Sequence, residues 1–238
     1  MKETTTLETA AAEASAAATD AAEKQAIEQT IYDRIVDAII DKQIRPGAHL
    51  NEVQIARSFG VPRTRLRRVL ERLEAEHVVV FERNRGAFVG LPTVKEALDV
   101  FETRRLLEVA VIGLACLRAT EADIAVLRAH VQRQREVIET RSNEVNRIGA
   151  DFHMMLTRLT GNHVLEQTMT GLMRRLSLIQ SLYEKSDSIC LAHEHEALVE
   201  AMARKDVAAC VRIITEHCAH IEASLEISER KRQSYFTL

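Results

Sequence analysis

Tryptophan is missing from this 238-residue chain, and proline and glycine are scarce, at 3 and 8 residues. A chain with so few breakers reads as largely helical. The four cysteines, Cys116, Cys190, Cys210 and Cys218, stand far apart with no Cys-x-x-Cys pair. They read as reduced, mostly buried residues of a cytosolic protein. No apolar run reaches the roughly 18–20 residues needed to cross a bilayer. The first residues are acidic and rich in Ala and Thr, without the basic start and apolar core of a secretory signal. The net charge of -3 excludes a globally basic nucleic-acid binder.

The charge that is present is unevenly spread. Residues 31–90 hold eleven Lys/Arg against eight Asp/Glu, a net of +3, whereas residues 1–30 sum to -4 and residues 91–238 to -2. A local basic surplus is the footprint of a single DNA-reading module. Its centre is Val61-Pro62-Arg63-Thr64-Arg65-Leu66-Arg67-Arg68-Val69-Leu70-Glu71-Arg72-Leu73. Val61, Leu66, Val69, Leu70 and Leu73 recur at helical spacing, and arginines crowd the other faces. Such a helix suits the major groove, where guanidinium groups bridge guanine edges or grip phosphates. The blander reading is a solvated basic face.

The surrounding pattern favours the first reading. Residues 1–25 are low in complexity and are expected to be disordered, or a frayed helix. Ile27, Ile31, Ile35, Ala38 and Ile39 give an amphipathic helix over 26–42, broken by Arg45-Pro46-Gly47. Asn51 is suited to cap a short helix through Phe59, with Gly60 as its C′ residue. Helix, tight glycine turn and basic helix make a helix-turn-helix. His77–Phe81 and Ala87–Val89 are β-branched runs flanking Glu82-Arg83-Asn84-Arg85-Gly86, a hairpin wing with two arginines at its tip. Residues 26–92 are therefore expected to be a winged helix-turn-helix.

After Leu91-Pro92-Thr93 the strand signals stop. Helices are predicted near 94–118, 121–140, 143–160, 163–184, 188–204 and 206–229, each entered through a capping residue at the preceding break. The fold class predicted is mainly α: the winged helix plus an antiparallel six-helix bundle over 93–230, with a tail at 231–238. Such bundles build ligand sites from facing helices.

Two sets of motifs carry a family resemblance. Pro46-Gly47-x-x-Leu50-x-Glu52, Ile55-Ala56, Gly60-Val61-x-Arg63-Thr64-x-Leu66-Arg67-x-x-Leu70-x-x-Leu73 and Arg85-Gly86-Ala87-Phe88-Val89 resemble the DNA-binding domain of GntR transcription regulators. Phe101-Glu102-x-Arg104-x-x-Leu107-Glu108, Phe152-His153, Gly161-Asn162, Glu194-His195-x-x-Leu198, Asp206 and His217 resemble the FadR-type effector domain, called FCD. Six C-terminal helices suggest its VanR-like branch. The resemblance implies a cytoplasmic homodimer on a palindromic operator, with Arg63, Thr64, Arg65, Arg67, Arg68, Arg83, Arg85 and Gly86 on the DNA. It implies a divalent metal such as Zn or Ni on His153, His195 and His217. A small carboxylate effector would meet those histidines and Arg104. The expected role is a repressor of a catabolic or transport operon; the alternative is a regulator that senses the ion itself. Catalysis is not expected, since no general base stands beside the histidines.

Three departures from the family pattern matter. Pro62 replaces a hydroxyl residue at the start of the basic helix, and Arg65 and Arg68 make that helix more basic than usual, which implies salt-sensitive operator binding. Gly149 stands where the family usually has Asp or Asn, one turn before His153, so a three-histidine site completed by water or effector is expected. His220 shares roughly the face of His217 and is a possible substitute ligand. Arg104 has a plain alternative role, an i,i+4 pair with Glu108.

Overall fold

The computed structural model describes residues 22–41, 43–140, 145–185 and 191–235. The N-terminal unit opens with α1 (22–40), followed by β1 (His49–Leu50), α2 (Glu52–Ser58), α3 (Arg63–Ala75) and the hairpin β2 (Val79–Glu82) and β3 (Gly86–Val89). Helix α1 already runs at 22, inside the stretch expected to be disordered, because Ala22, Glu23, Lys24 and Gln25 are all good helix formers and extend it upstream. Residues 1–21 lie outside the described part.

Asn51 caps α2, its side chain accepting from the amides of Val53 and Gln54. Gly60, at φ +64°, makes the left-handed exit that a side chain would resist. Pro62 stands at the N-cap of α3 rather than inside the first turn, and supplies no side-chain cap. The sheet has the order β1-β3-β2, all antiparallel, with Leu50 opposite Ala87 and Glu82 opposite Gly86. Strand β1 is only two residues long, too short to show period-2 alternation, and sequence reading missed it. Ile31, Tyr32, Ile35, Ile39, Leu66 and Leu70 anchor a core shared by α1, α3 and the sheet.

The C-terminal unit packs α4 (Val94–Arg118), α5 (Glu121–Glu139), α6 (Val145–Leu159), α7 (His163–Tyr183), α8 (Ala192–Ala203) and α9 (Val207–Ala223) around a second core. Thr93 with Glu96 and Thr120 with Asp123 form capping boxes at α4 and α5. Asn162 and Asp206 cap α7 and α9. Helix α8 enters through Leu191 with no side-chain cap; the expected cap near Asp187 lies outside the described residues. Helix α9 ends at Ala223, earlier than expected, because Leu225 bridges back to Glu184 and the Glu226 amide donates to the Tyr183 carbonyl, 2.8 Å away. A short α10 (Glu229–Gln233), capped by Ser228, follows and runs into the expected tail. Among the described residues, six long helices thus form the bundle, with α10 appended. No helix among the described residues is long and apolar enough to cross a membrane.

Helix α7 joins the two units. Its C-terminal half is buried on nearly every face, as expected of a helix packed from all sides. Leu178 enters the core of the N-terminal unit, while Leu176, Ile179 and Leu182 stay in that of the bundle. Arg174 lies over the Tyr32 ring (4.5 Å) and reaches Glu76, at the end of α3, at 2.9 Å. Arg72 covers the other side of that ring at 4.0 Å. Arg147 of α6 pairs with Asp37 (3.4 Å) and with Asp41 of the α1 end.

Candidate functional site

Helix α3 buries Leu66, Val69, Leu70 and Leu73 and leaves Arg63, Thr64, Arg67 and Arg68 exposed on the outer side. Arg63 reaches Glu52 at 3.6 Å and Arg68 reaches Glu28 at 3.0 Å. Exposed ion pairs of this kind hold about 0–1 kcal/mol and exchange readily for phosphate. Arg67 stacks over Phe81 of the wing, 5.0 Å from its centroid, which ties helix and wing together. Arg65 differs: its side chain is only 18% exposed and turned toward Glu28 of α1. Helical phase explains this, since residue 65 falls on the flank that meets α1.

At the wing tip Arg83 and Arg85 are exposed, and Arg85 lies over Phe88 and pairs with Glu82. Gly86, at φ +92°, is required there: a Cβ would meet His49 Nε2 at 3.2 Å.

In the bundle, His153 of α6, His195 of α8 and His217 of α9 meet in the interior, each 2–3% exposed. His153 Nε2 lies 3.2 Å from His217 Nε2, which lies 3.4 Å from His195 Nε2. The outer nitrogens are fixed from behind. His217 Nδ1 donates to Glu194 at 2.8 Å, and His195 Nδ1 donates to Gln134 Oε1 at 2.8 Å. His153 Nδ1 stands 2.8 Å from Glu108, at an angle too oblique for a good hydrogen bond, while its Nε2 accepts from Arg104 Nη2 at 2.9 Å. With the outer nitrogens carrying the protons, three Nε2 lone pairs point at one another.

Burial keeps all three rings neutral. It pushes His217 down to about 4 and lowers His153 and His195 as well. Burial alone would raise the Glu108 carboxyl; beside His153 and under the Arg104 guanidinium it is held low instead. Converging neutral imidazole lone pairs repel unless a cation lies between them. The donor set fits a divalent ion such as Zn or Ni, with the outer acceptors setting tautomer and ring orientation.

Arg104 is 1% exposed and pairs with Glu108 at 3.2 Å, so the plain i,i+4 role holds. It also lines a small cavity of about 60 Å³ with the three histidines, Asn146 and Gly149. At about 10–15 Å³ per water-sized group, this suits a small molecule. Arg104 Nη1 is buried there without a partner. The expected cluster and pocket residue therefore come together.

A model for bacterial regulatory proteins of the gntR family matches residues 27–89, and a model for the FCD domain matches residues 99–220. The chain belongs to the GntR family and carries its FCD domain. It is 32% identical over 185 residues to the Nta operon transcriptional regulator of Aminobacter aminovorans, covering 77% of this chain and 87% of that one. It is 23% identical over 197 residues to the HTH-type transcriptional repressor RspR of Escherichia coli, covering 82% and 86%. Among solved structures, E. coli McbR/YncC shares the fold, with a TM-score of 0.74 at 19% identity over 88% of this chain and 98% of that chain. Like these relatives, this GntR protein is a transcriptional regulator and not an enzyme.

The regulator's remaining histidines stay out of the cluster. His220 is exposed on the far side of Glu194, so it is no substitute ligand, and His163 and His193 are also exposed. His130 bonds the Ile148 carbonyl at 2.9 Å. Sequence reading missed the outer supports. Glu194 reads as a solvated helix residue beside His195, and Gln134 carries no signal at all, since one buried amide on a polar helix has no periodic signature.

Proposed function

We propose that this protein is a homodimeric operator-binding repressor whose hold on DNA answers to a small carboxylate bound at a divalent metal in the FCD domain. The convergence of three neutral Nε2 atoms in the bundle is the observation that carries this reading. His153, His195 and His217 hold the ion, and the buried, unpartnered Arg104 Nη1 offers a carboxylate clamp. That second feature favours an organic effector over an ion acting alone as the signal. The ion supplies Lewis acidity toward carboxylate oxygens.

Arg63, Thr64, Arg67 and Arg68 face the groove, with Arg83, Arg85 and the tight turn at Gly86 in the wing. Arg65 contributes by bracing α3 against α1. Exposed Leu106 (70%) and Leu117 (65%) on α4 offer a second copy an apolar helix face, and two such copies read a palindrome. The names of the relatives, an operon regulator and a repressor, agree with control of an operon.

The test is elemental analysis of chelator-free protein beside His153→Ala, with operator binding measured on both. The expected result is about one ion per chain in the parent and a loss of about 10–100-fold or more in metal affinity in the variant. A folded parent that takes up neither Zn nor Ni would sink the metal reading.

A further inference from the structure

Helix α6 carries a glycine in its interior, Gly149, where glycine weakens a helix relative to alanine. The backbone does not require it. Its φ is not left-handed, and an added Cβ would make ordinary contact, 3.7 Å from Gln134 Nε2. Its one visible consequence is space, because Gly149 lies one turn before His153 and lines the same cavity.

The charges around that space are unbalanced once a divalent ion is counted. The cluster consists of three neutral imidazoles, and among the described residues no carboxylate joins it. Glu108 sits behind His153 and is matched by Arg104. Glu194 sits behind His217 and divides its two oxygens between His217 and His220 at the rim. Asp151, two residues from His153, points off the cavity toward the His130 side. An ion on this triad thus keeps its charge on the cavity side, with positions open for more than two further donors.

Resting on the metal reading above, we infer that Gly149 makes this a pocket for a dianionic, three-oxygen chelator: the ligand brings the carboxylate that the protein leaves out. A 2-hydroxy dicarboxylate has the required chemistry, offering a hydroxyl and two carboxylates. A 2-hydroxy monocarboxylate offers one donor and one charge fewer, and is the weaker ligand. Gly149 is therefore a specificity-determining residue, acting through what its missing side chain does not supply.

The test uses the full chain loaded with Ni(II), with metal content checked before and after calorimetric titration by lactate and by malate. These two probes share the 2-hydroxy acid head and differ by one carboxylate. Malate is expected to bind at least about tenfold more tightly, the equivalent of one modest ionic contact. Gly149→Asp places a carboxylate on the protein; it is expected to hold Ni(II) more tightly and to lose most of the malate advantage. Gly149→Ala adds a Cβ without charge and is expected to keep it. Equal affinities for lactate and malate in the metal-loaded parent overturn the inference while leaving the metal reading intact. Failure of the folded parent to take up Ni(II) or Zn(II) overturns both. If Gly149→Asp does not fold, the malate-to-lactate ratios of the parent and Gly149→Ala decide.

Discussion

Imidazole is neutral or charged near physiological pH according to its surroundings, and here three surroundings agree. Unfolded histidine takes a proton near 6.5, whereas His217 stays neutral in the fold down to about 4, and burial lowers His153 and His195 too. Below 6.5 the unfolded chain therefore binds more protons than the native one, and stability falls as pH falls through that window. The metal-free protein is expected to be flat in stability above about pH 7 and to weaken steadily between pH 6.5 and about 4, read by urea midpoints. Unchanged midpoints across that range would mean that the rings are protonated in the fold. Bound metal should be released in the same acid window, since its ligands must be unprotonated. On the DNA side, Arg67 and Arg65 are two residues apart with different surroundings. Arg67→Ala is expected to weaken operator binding by about 1–3 kcal/mol, as for a groove contact. Arg65→Ala, turned toward Glu28, should change it by a few tenths (about 0.3 kcal/mol). Fluorescence anisotropy on a labelled operator separates the two, and equal losses would place Arg65 on the DNA as well.

Elements explain why the site is where it is. Helix α4 supplies Arg104 and Glu108, α5 supplies Gln134, and α6, α8 and α9 each supply one histidine, so the cluster ties five helices together. Helix α4 makes the largest electrostatic commitment, a guanidinium and a carboxylate both taken out of water. Arg104→Ala leaves Glu108 buried without its counter-charge and is expected to destabilise the protein by about 3–5 kcal/mol. Arg104→Met combined with Glu108→Leu should recover most of that loss, while abolishing any response to carboxylates. If Arg104→Ala alone is neutral in chemical denaturation, the pair is not the buried ionic contact described here.

The whole molecule is two cores joined through α7 and α6. These are also helices that line the effector cavity, through Met173, Leu176 and Gln180 on one and Asn146, Gly149 and His153 on the other. The cavity and the DNA-reading head are therefore attached to the same two rods. Arg174 is the central brace, with its guanidinium over Tyr32 and on Glu76. Arg174→Ala is expected to loosen the head by about 1 kcal/mol, seen as faster amide exchange in α1 and α3 with metal content unchanged. Exchange that stays as slow as in the parent would show that Leu178 and the Arg147 pairs suffice.

Much of this architecture is legible along the chain because it is local. Helical periodicity, the caps at Asn51, Thr93, Thr120, Asn162 and Asp206, and the glycine exits mark where elements start and stop. The family motifs point to the three histidines and Arg104. What the chain alone leaves open depends on long-range closure. Strand β1 exists only because β3 pairs with it, α9 stops at Ala223 because Leu225 bridges Glu184, and Arg65 faces α1 rather than solvent because of how the helices cross. The same holds at the site: Glu108, Gln134 and Glu194 lie 45, 61 and 23 residues from the histidines they support, the intervals from 108 to 153, 134 to 195 and 194 to 217. Residue type and spacing thus determined the helices, the head and the ligand set. Only tertiary packing decided which nitrogen faces inward, because tautomer and lone-pair direction are set by partners that sequence distance does not reveal.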